Sequence, residues 1–284
     1  MLEAVLDALF DCVKLLPFLF LTYLAMEYIE HRTGSKLQGL IRKSGKFGPF
    51  FGGILGAFPQ CGFSTVASNL YAGRIITAGT LIAVFLSTSD EMLPVLISEN
   101  VGIGVILKIV CVKIIIGMIA GFIIDIVISR FSGTQNRELQ IEHLCEHEQC
   151  HCEKGIVKSA IHHTVEIFFY ILLISCVLNI LIALIGEDFL AGLFLNRPVV
   201  GELIAGVIGL IPNCASSVVI TQLYLEGVLS AGAMMSGLLA GAGIGVAVLF
   251  RVNDRRRENI GIIAILYVFG VLSGVIIEAL GIVI

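Results

Sequence analysis

The segments Pro59-Gln60-Cys61-Gly62-Phe63-Ser64 and Pro212-Asn213-Cys214-Ala215-Ser216-Ser217 each put a thiol two residues after a proline, in otherwise apolar surroundings. Proline ends one helix and lets the next begin. Each thiol is therefore expected at a helix N-terminus, where open amides and the dipole lower its pKa and can face it toward a buried ligand. Ser64 and Ser68 follow Cys61 at i+3 and i+7, and Ser217 and Thr221 follow Cys214 in the same way. Those spacings share one helical face. Hydroxyls in membrane helices also bond back to carbonyls or glue neighbouring helices, so Ser68 and Thr221 read nearly as well as packing residues. With Gln60 and Asn213 beside the thiols, Cys61, Ser64, Cys214 and Ser217 form a candidate substrate-binding set.

A second polar group, Ser87-Thr88-Ser89-Asp90-Glu91, interrupts an apolar run ahead of Pro94. Adjacent acids at membrane depth cost several kcal/mol unless they face protein or water. Ser87, Ser89, Asp90 and Glu91 thus join the candidate site, and the two acids are the first choice for proton coupling. Capping of a helix near the outer surface is the alternative. Asp125 and Glu278, near helix ends, are further candidates for proton coupling, though a solvated role suits them as well. Between 141 and 154, IEHLCEHEQCHCEK crowds His143, Cys145, His147, Cys150, His151 and Cys152 among acids. Imidazole and thiolate at that density suit zinc, cadmium or copper(I). The spacing is not that of a zinc finger, so a capture or sensing tract is expected, against the alternative of an inert linker. His162 and His163 with Glu166 could pass an ion inward.

These groups must be positioned by a membrane protein. Of 284 residues, 57% are apolar and 14% charged, against roughly 25% charged in soluble domains. Thirty-one glycines are what transmembrane helices use to pack closely. The net charge of −4, with basic residues in short clusters rather than along a face, argues against nucleic acid as a partner, and neither a phosphate loop nor a dinucleotide fingerprint occurs. Glu3, Asp7 and Asp11 stand where a cleaved signal would be basic, so the first helix is expected to be retained. Reduced thiols fit the eight cysteines better than disulfides.

Apolar runs at 12–29, 75–97, 105–128, 164–186, 228–250 and 260–284 read as six full spans. Two more, 48–73 and 198–226, break at the Pro-x-Cys segments into pieces of about 16 Å, half a hydrocarbon core. Shifting the chain by 153 aligns 48–96 with 201–249 without a gap, with 14 identities in 49 positions. The register continues through Gly117/Gly270, Gly121/Gly274 and Asp125/Glu278. Equivalent loops carry opposite charge: 32–46 holds five basic residues and no acid, whereas its counterpart holds Glu187, Asp188 and Arg197. By the positive-inside rule the copies are inverted. The expected fold is an all-α integral membrane protein of two inverted repeats, 1–128 and 159–284. Each has three full spans plus a re-entrant hairpin of two half-helices, ten helical segments in all, and 129–158 is a cytosolic metal-binding loop. Both termini fall outside the cell (inner) membrane, and loops 32–46, 129–158 and 251–259 are cytoplasmic.

On Phe58-Pro59-Gln60-Cys61-Gly62-Phe63-Ser64, the Ser87–Glu91 cluster and Pro212-Asn213-Cys214-Ala215-Ser216-Ser217, the chain resembles the ten-helix heavy-metal exporters. These are related to the arsenic permeases and are described as arsenic efflux proteins or manganese transporters. The resemblance covers roughly 10–284 and implies transport, not enzymatic catalysis. Three classes follow: a secondary exporter of a metal ion, probed by whether Asp90 and Glu91 are needed; a permease for a metalloid or small anion such as arsenite or an organoarsenical; and, remotely, an intramembrane thiol redox enzyme using Cys61 and Cys214. The expected partners are a metal ion and the lipid bilayer, with a homodimer left open. No resident cofactor is expected.

Overall fold

The computed structural model describes residues 47–58, 61–89, 92–131, 156–185 and 199–281, with single positions between 9 and 24. Among them the chain forms α1 (Gly48–Gly56), α2 (Cys61–Ala72), α3 (Ala78–Ser87), α4 (Met92–Ser98), α5 (Ile103–Phe131) and α6 (Ile156–Ile185). It continues as α7 (Val200–Gly209), α8 (Ala215–Leu225), α9 (Ala231–Ala240), α10 (Ile244–Val252) and α11 (Arg256–Ala279). Adding 153 to the bounds of α3 gives those of α9, and α1, α2 and α4 match α7, α8 and α10 to within a residue.

The local chemistry recurs at the same offset. Thr77 Oγ1 accepts the Thr80 N–H (2.9 Å) to open α3, and Ser230 Oγ accepts the Ala233 N–H (3.2 Å) to open α9, the side-chain cap expected of these residues. Asp125 Oδ1 on α5 accepts the Gly79 N–H (2.9 Å), and Glu278 Oε2 on α11 accepts the Gly232 N–H (3.0 Å). The acids thus add a second cap from a neighbouring helix. A β-carbon at Gly79 would collide with Gly121 O, and one at Gly232 with Gly274 O. Glycine is needed there because helix backbones touch.

One expectation needs correction. The runs 75–97 and 228–250 have the length and apolarity to cross a bilayer as expected, but each is two short helices, α3 with α4 and α9 with α10, rather than one continuous helix. In the first run Pro94 sits in the opening turn of α4, where a missing N–H is tolerated; a helix continuing from α3 would need that N–H and clash with the carbonyl four residues back. Ser87 Oγ and Thr88 Oγ1 also bond back to Ala83 O and Val84 O (2.8 Å each), at the last turn of α3. In the second run Gly243, at φ 53° and ψ −144°, takes a conformation that a side chain would strain. The break is therefore common to both copies, and what is peculiar to the first is its polar side chains.

The broken pairs form the interior. α3 packs on α1 and α5, α9 packs on α7 and α11, α2 lies against α10, and α8 lies against α4. The last two contacts cross between the sequence copies. The long helices α5 and α11 are peripheral, exposing Leu107, Ile115, Ile119, Ile123 and Ile126, and Val268, Leu272 and Ile276. Four stretches, Ala78–Ser98, Ile103–Arg130, Ala231–Val252 and Arg256–Ala279, are long and apolar enough to cross a bilayer. Near the connection into α11, Arg74 Nη2 donates to Glu258 Oε2 (2.9 Å) and Arg255 Nη1 to Glu258 Oε1 (3.0 Å). The first pair ties the turn after α2 to the opposite copy, and the second is local to the start of α11.

Candidate functional site

A cavity of about 10 Å³ lies where the broken helices meet, at the lower limit for one water-sized occupant. Its walls come from both copies: Thr88 and Ser89 after α3, Met92 opening α4, Lys113 on α5, Asn213, Cys214, Ser216 and Ser217 at the start of α8, Leu238 on α9, and Gly241 and Gly243 between α9 and α10.

The start of α8 explains how the thiol is held. Proline at 212 closes the preceding turn, and Cys214 is the residue before the first helical position. Asn213 Oδ1 accepts the Ala215 N–H (3.3 Å), fixing the entry to the helix. Cys214 is buried, within an apolar cluster that includes Cys12, Tyr23, Ile167, Ile171, Ile244 and Val248.

The four lining hydroxyls are polarised alike. Ser217 Oγ donates to Cys214 O (2.7 Å), Ser216 Oγ to Asn213 O (2.8 Å), Ser89 Oγ to Ser87 O (3.0 Å) and Thr88 Oγ1 to Val84 O (2.8 Å). A hydroxyl has one proton and two lone pairs. With each proton engaged by a backbone carbonyl, the oxygens offer lone pairs. Acceptors of that kind suit a cation.

Of the residues expected in the site, Ser89, Asn213, Cys214 and Ser217 line the cavity. Ser64 and Ser68 do not: both are buried on α2 facing α10, where Ser68 Oγ shares its proton between Ser64 O (2.9 Å) and Gly245 O (2.7 Å), and the backbones approach closely at Gly245. Ser87 packs between α3 and Gly56 of α1. Thr221 Oγ1 bonds to Ser217 O (2.7 Å) one turn deeper in α8. Asp125 and Glu278 hold helix N-termini, as above; Asp125 Oδ2 also accepts from Thr77 Oγ1 (2.6 Å). Glu166 pairs with Arg251 Nη2 (2.5 Å), joining α6 to α10. Cys61 begins α2. Gln60, Asp90, Glu91, the Cys61 side chain and the tract His143, Cys145, His147, Cys150, His151, Cys152 lie outside the described residues, as does the loop 32–46. In sequence, Asp90 and Glu91 separate the lining residues Ser89 and Met92.

Thr88, Ser216 and Lys113 also line the cavity and were not among the expected site residues; Lys113 is the charged one. It is 1% exposed, and its ammonium donates to Thr88 O and to Leu238 O (2.9 Å). The signal was there: a lysine near the middle of an apolar span is expensive unless it serves a site.

The described residues form helices and their connections, with several membrane-length apolar stretches, and this is a multi-pass membrane protein with a small cavity, lined in part by polar side chains, where broken helices meet. Residues 1–200 match the family described as "Putative, 10TM heavy-metal exporter", and the chain belongs to that family. Its substrate class is accordingly a metal ion, and an exporter family is not an enzyme class. No curated protein and no solved structure matches the chain.

Proposed function

We propose that the protein is a secondary active exporter of a divalent heavy or transition metal ion, coupled to inward proton flow. The observation that carries this reading is the cavity lined by Cys214 and by four hydroxyls whose protons are all engaged by backbone carbonyls. Oxygen and sulfur donors together suit a borderline or soft divalent ion. Cys61 supplies the matching thiol from the first copy, and Asp90 and Glu91 supply the carboxylates. Moving a divalent ion outward against 100 mV costs about 4.6 kcal/mol, at ~2.3 kcal/mol per charge. Protonation of Asp90 or Glu91 from outside releases the metal, and loss of that proton inside restores the site. The opposite charge of equivalent loops supports inverted repeats 1–128 and 159–284 in the cell membrane, with loops 32–46, 129–158 and 251–259 cytoplasmic. The tract at 143–152 then captures or senses the ion on the cytosolic side.

The test is uptake by purified protein in vesicles, screened across Mn²⁺, Zn²⁺, Cd²⁺, Co²⁺ and arsenite. Flux of a divalent cation that is lost in Asp90→Asn and in Cys214→Ser supports the reading. A second reading, a permease for a metalloid or small anion, is favoured by the Lys113 ammonium on the cavity wall. Arsenite flux with Asp90→Asn as active as the wild type would select it.

A further inference from the structure

Lys113 reaches from α5 into the place where two helices end. Thr88 is the residue that closes α3, and Leu238 lies in the last turn of α9. Carbonyls there have no partner in their own helix, and they carry the negative end of the helix dipole. The ammonium thus holds one helix end from each sequence copy at once. Carbonyl oxygens so exposed are ligands for cations, and the lining hydroxyls around them present lone pairs as well. The cavity is a cation environment in which the side chain of Lys113 is the cation.

The charge is not demanded by the scaffold. The position equivalent to Lys113 in the second copy is Leu266, fully buried in α11, so the same helix packing forms around an apolar side chain. Lysine is also the cation suited to leaving its place, being a compact charge on a flexible four-carbon stem.

We propose that Lys113 is a resident cation of the transport site. In the empty carrier its ammonium fills the position between Thr88 O and Leu238 O. An arriving metal ion displaces it from those oxygens, and it returns when the metal leaves. The exchange makes and breaks no covalent bond and moves no proton. Lys113 therefore weakens metal binding and lets the empty carrier reorient without uncompensated carbonyl ends. This inference rests on the metal-export reading.

The experiment uses the full chain in vesicles with radiolabelled Mn²⁺, Zn²⁺, Cd²⁺ and Co²⁺, each alone. Net efflux into metal-free medium requires the empty carrier to return; exchange against the same unlabelled metal does not. Lys113→Leu copies the second repeat and is expected to lose net efflux at least tenfold while exchange stays within twofold of wild type. Equilibrium binding should tighten at least tenfold, about 1.4 kcal/mol. Should Lys113→Leu not fold, Lys113→Met, which keeps most of the length of the stem but neither the charge nor a donor for the two carbonyls, is expected to show the same pattern. Wild-type net efflux in the folded variant overturns the inference, as does weaker metal binding with both fluxes lost, which would make Lys113 a ligand or a packing residue. A wild-type protein that moves none of the four ions in either arm overturns the export reading itself, and the inference with it.

Discussion

Removing the carboxylate of Asp125 separates its structural task from a part in proton coupling. Asp125 Oδ1 accepts the Gly79 N–H and Oδ2 accepts from Thr77 Oγ1, itself the cap of α3. Hydrogen bonds to a charged group contribute about 1.5–3 kcal/mol each, and the half-buried site argues for the lower end. Asp125→Ala is thus expected to cost about 3 kcal/mol for the two bonds. At roughly 2–4 °C per kcal/mol for a chain of this size, the melting temperature should fall by about 6–12 °C. Glu278 is exposed and makes one equivalent bond, so Glu278→Ala should shift it by no more than about 3–6 °C. Asp125→Asn keeps an oxygen to accept from Gly79, and should lose less stability than Asp125→Ala and keep wild-type metal flux per folded molecule. The assay is thermal unfolding in detergent, followed by vesicle flux on the same preparation. A wild-type melting temperature in Asp125→Asn together with loss of proton-coupled flux would refute the capping argument and place the acid on the proton path.

Cys61→Ser, Cys214→Ser and Asp90→Asn should each strongly reduce metal flux in vesicles while leaving the unfolding temperature near wild type. Deletion of 141–153 should leave vesicle transport measurable yet shift the metal concentration at which cells lose tolerance. Gly79→Ala, which drives a β-carbon into Gly121 O, should cost about 1–3 kcal/mol in unfolding measurements. Gly261→Ala, where an added β-carbon meets nothing, should be neutral or stabilise α11 by up to about 1 kcal/mol.

Much of the scaffold was legible in the sequence because a 153-residue offset preserves packing glycines and capping acids together, and both kinds of residue act through geometry that recurs. The broken runs at 75–97 and 228–250 were missed because hydropathy averages over a break that costs few apolar residues; Pro94 behind Ser-Thr-Ser, and the Gly-Ala-Gly at 241–243, were its local signs. For the site, helical spacing says which residues share a face but not what that face meets. Ser64 and Ser68 share a face that meets Gly245 of α10, whereas Ser217 meets the cavity. Lys113 and Lys108 look alike in an apolar run; one is buried and the other exposed, and burial is set by helices distant in sequence.

The central claim, metal export driven by protons, is tested most directly by recording vesicle pH and metal flux together. Proton movement opposite to the metal, stimulated by an imposed pH gradient and lost in the Asp90→Asn, Glu91→Gln double variant, is the predicted result. Metal flux indifferent to the pH gradient, with no accompanying proton movement, would contradict it.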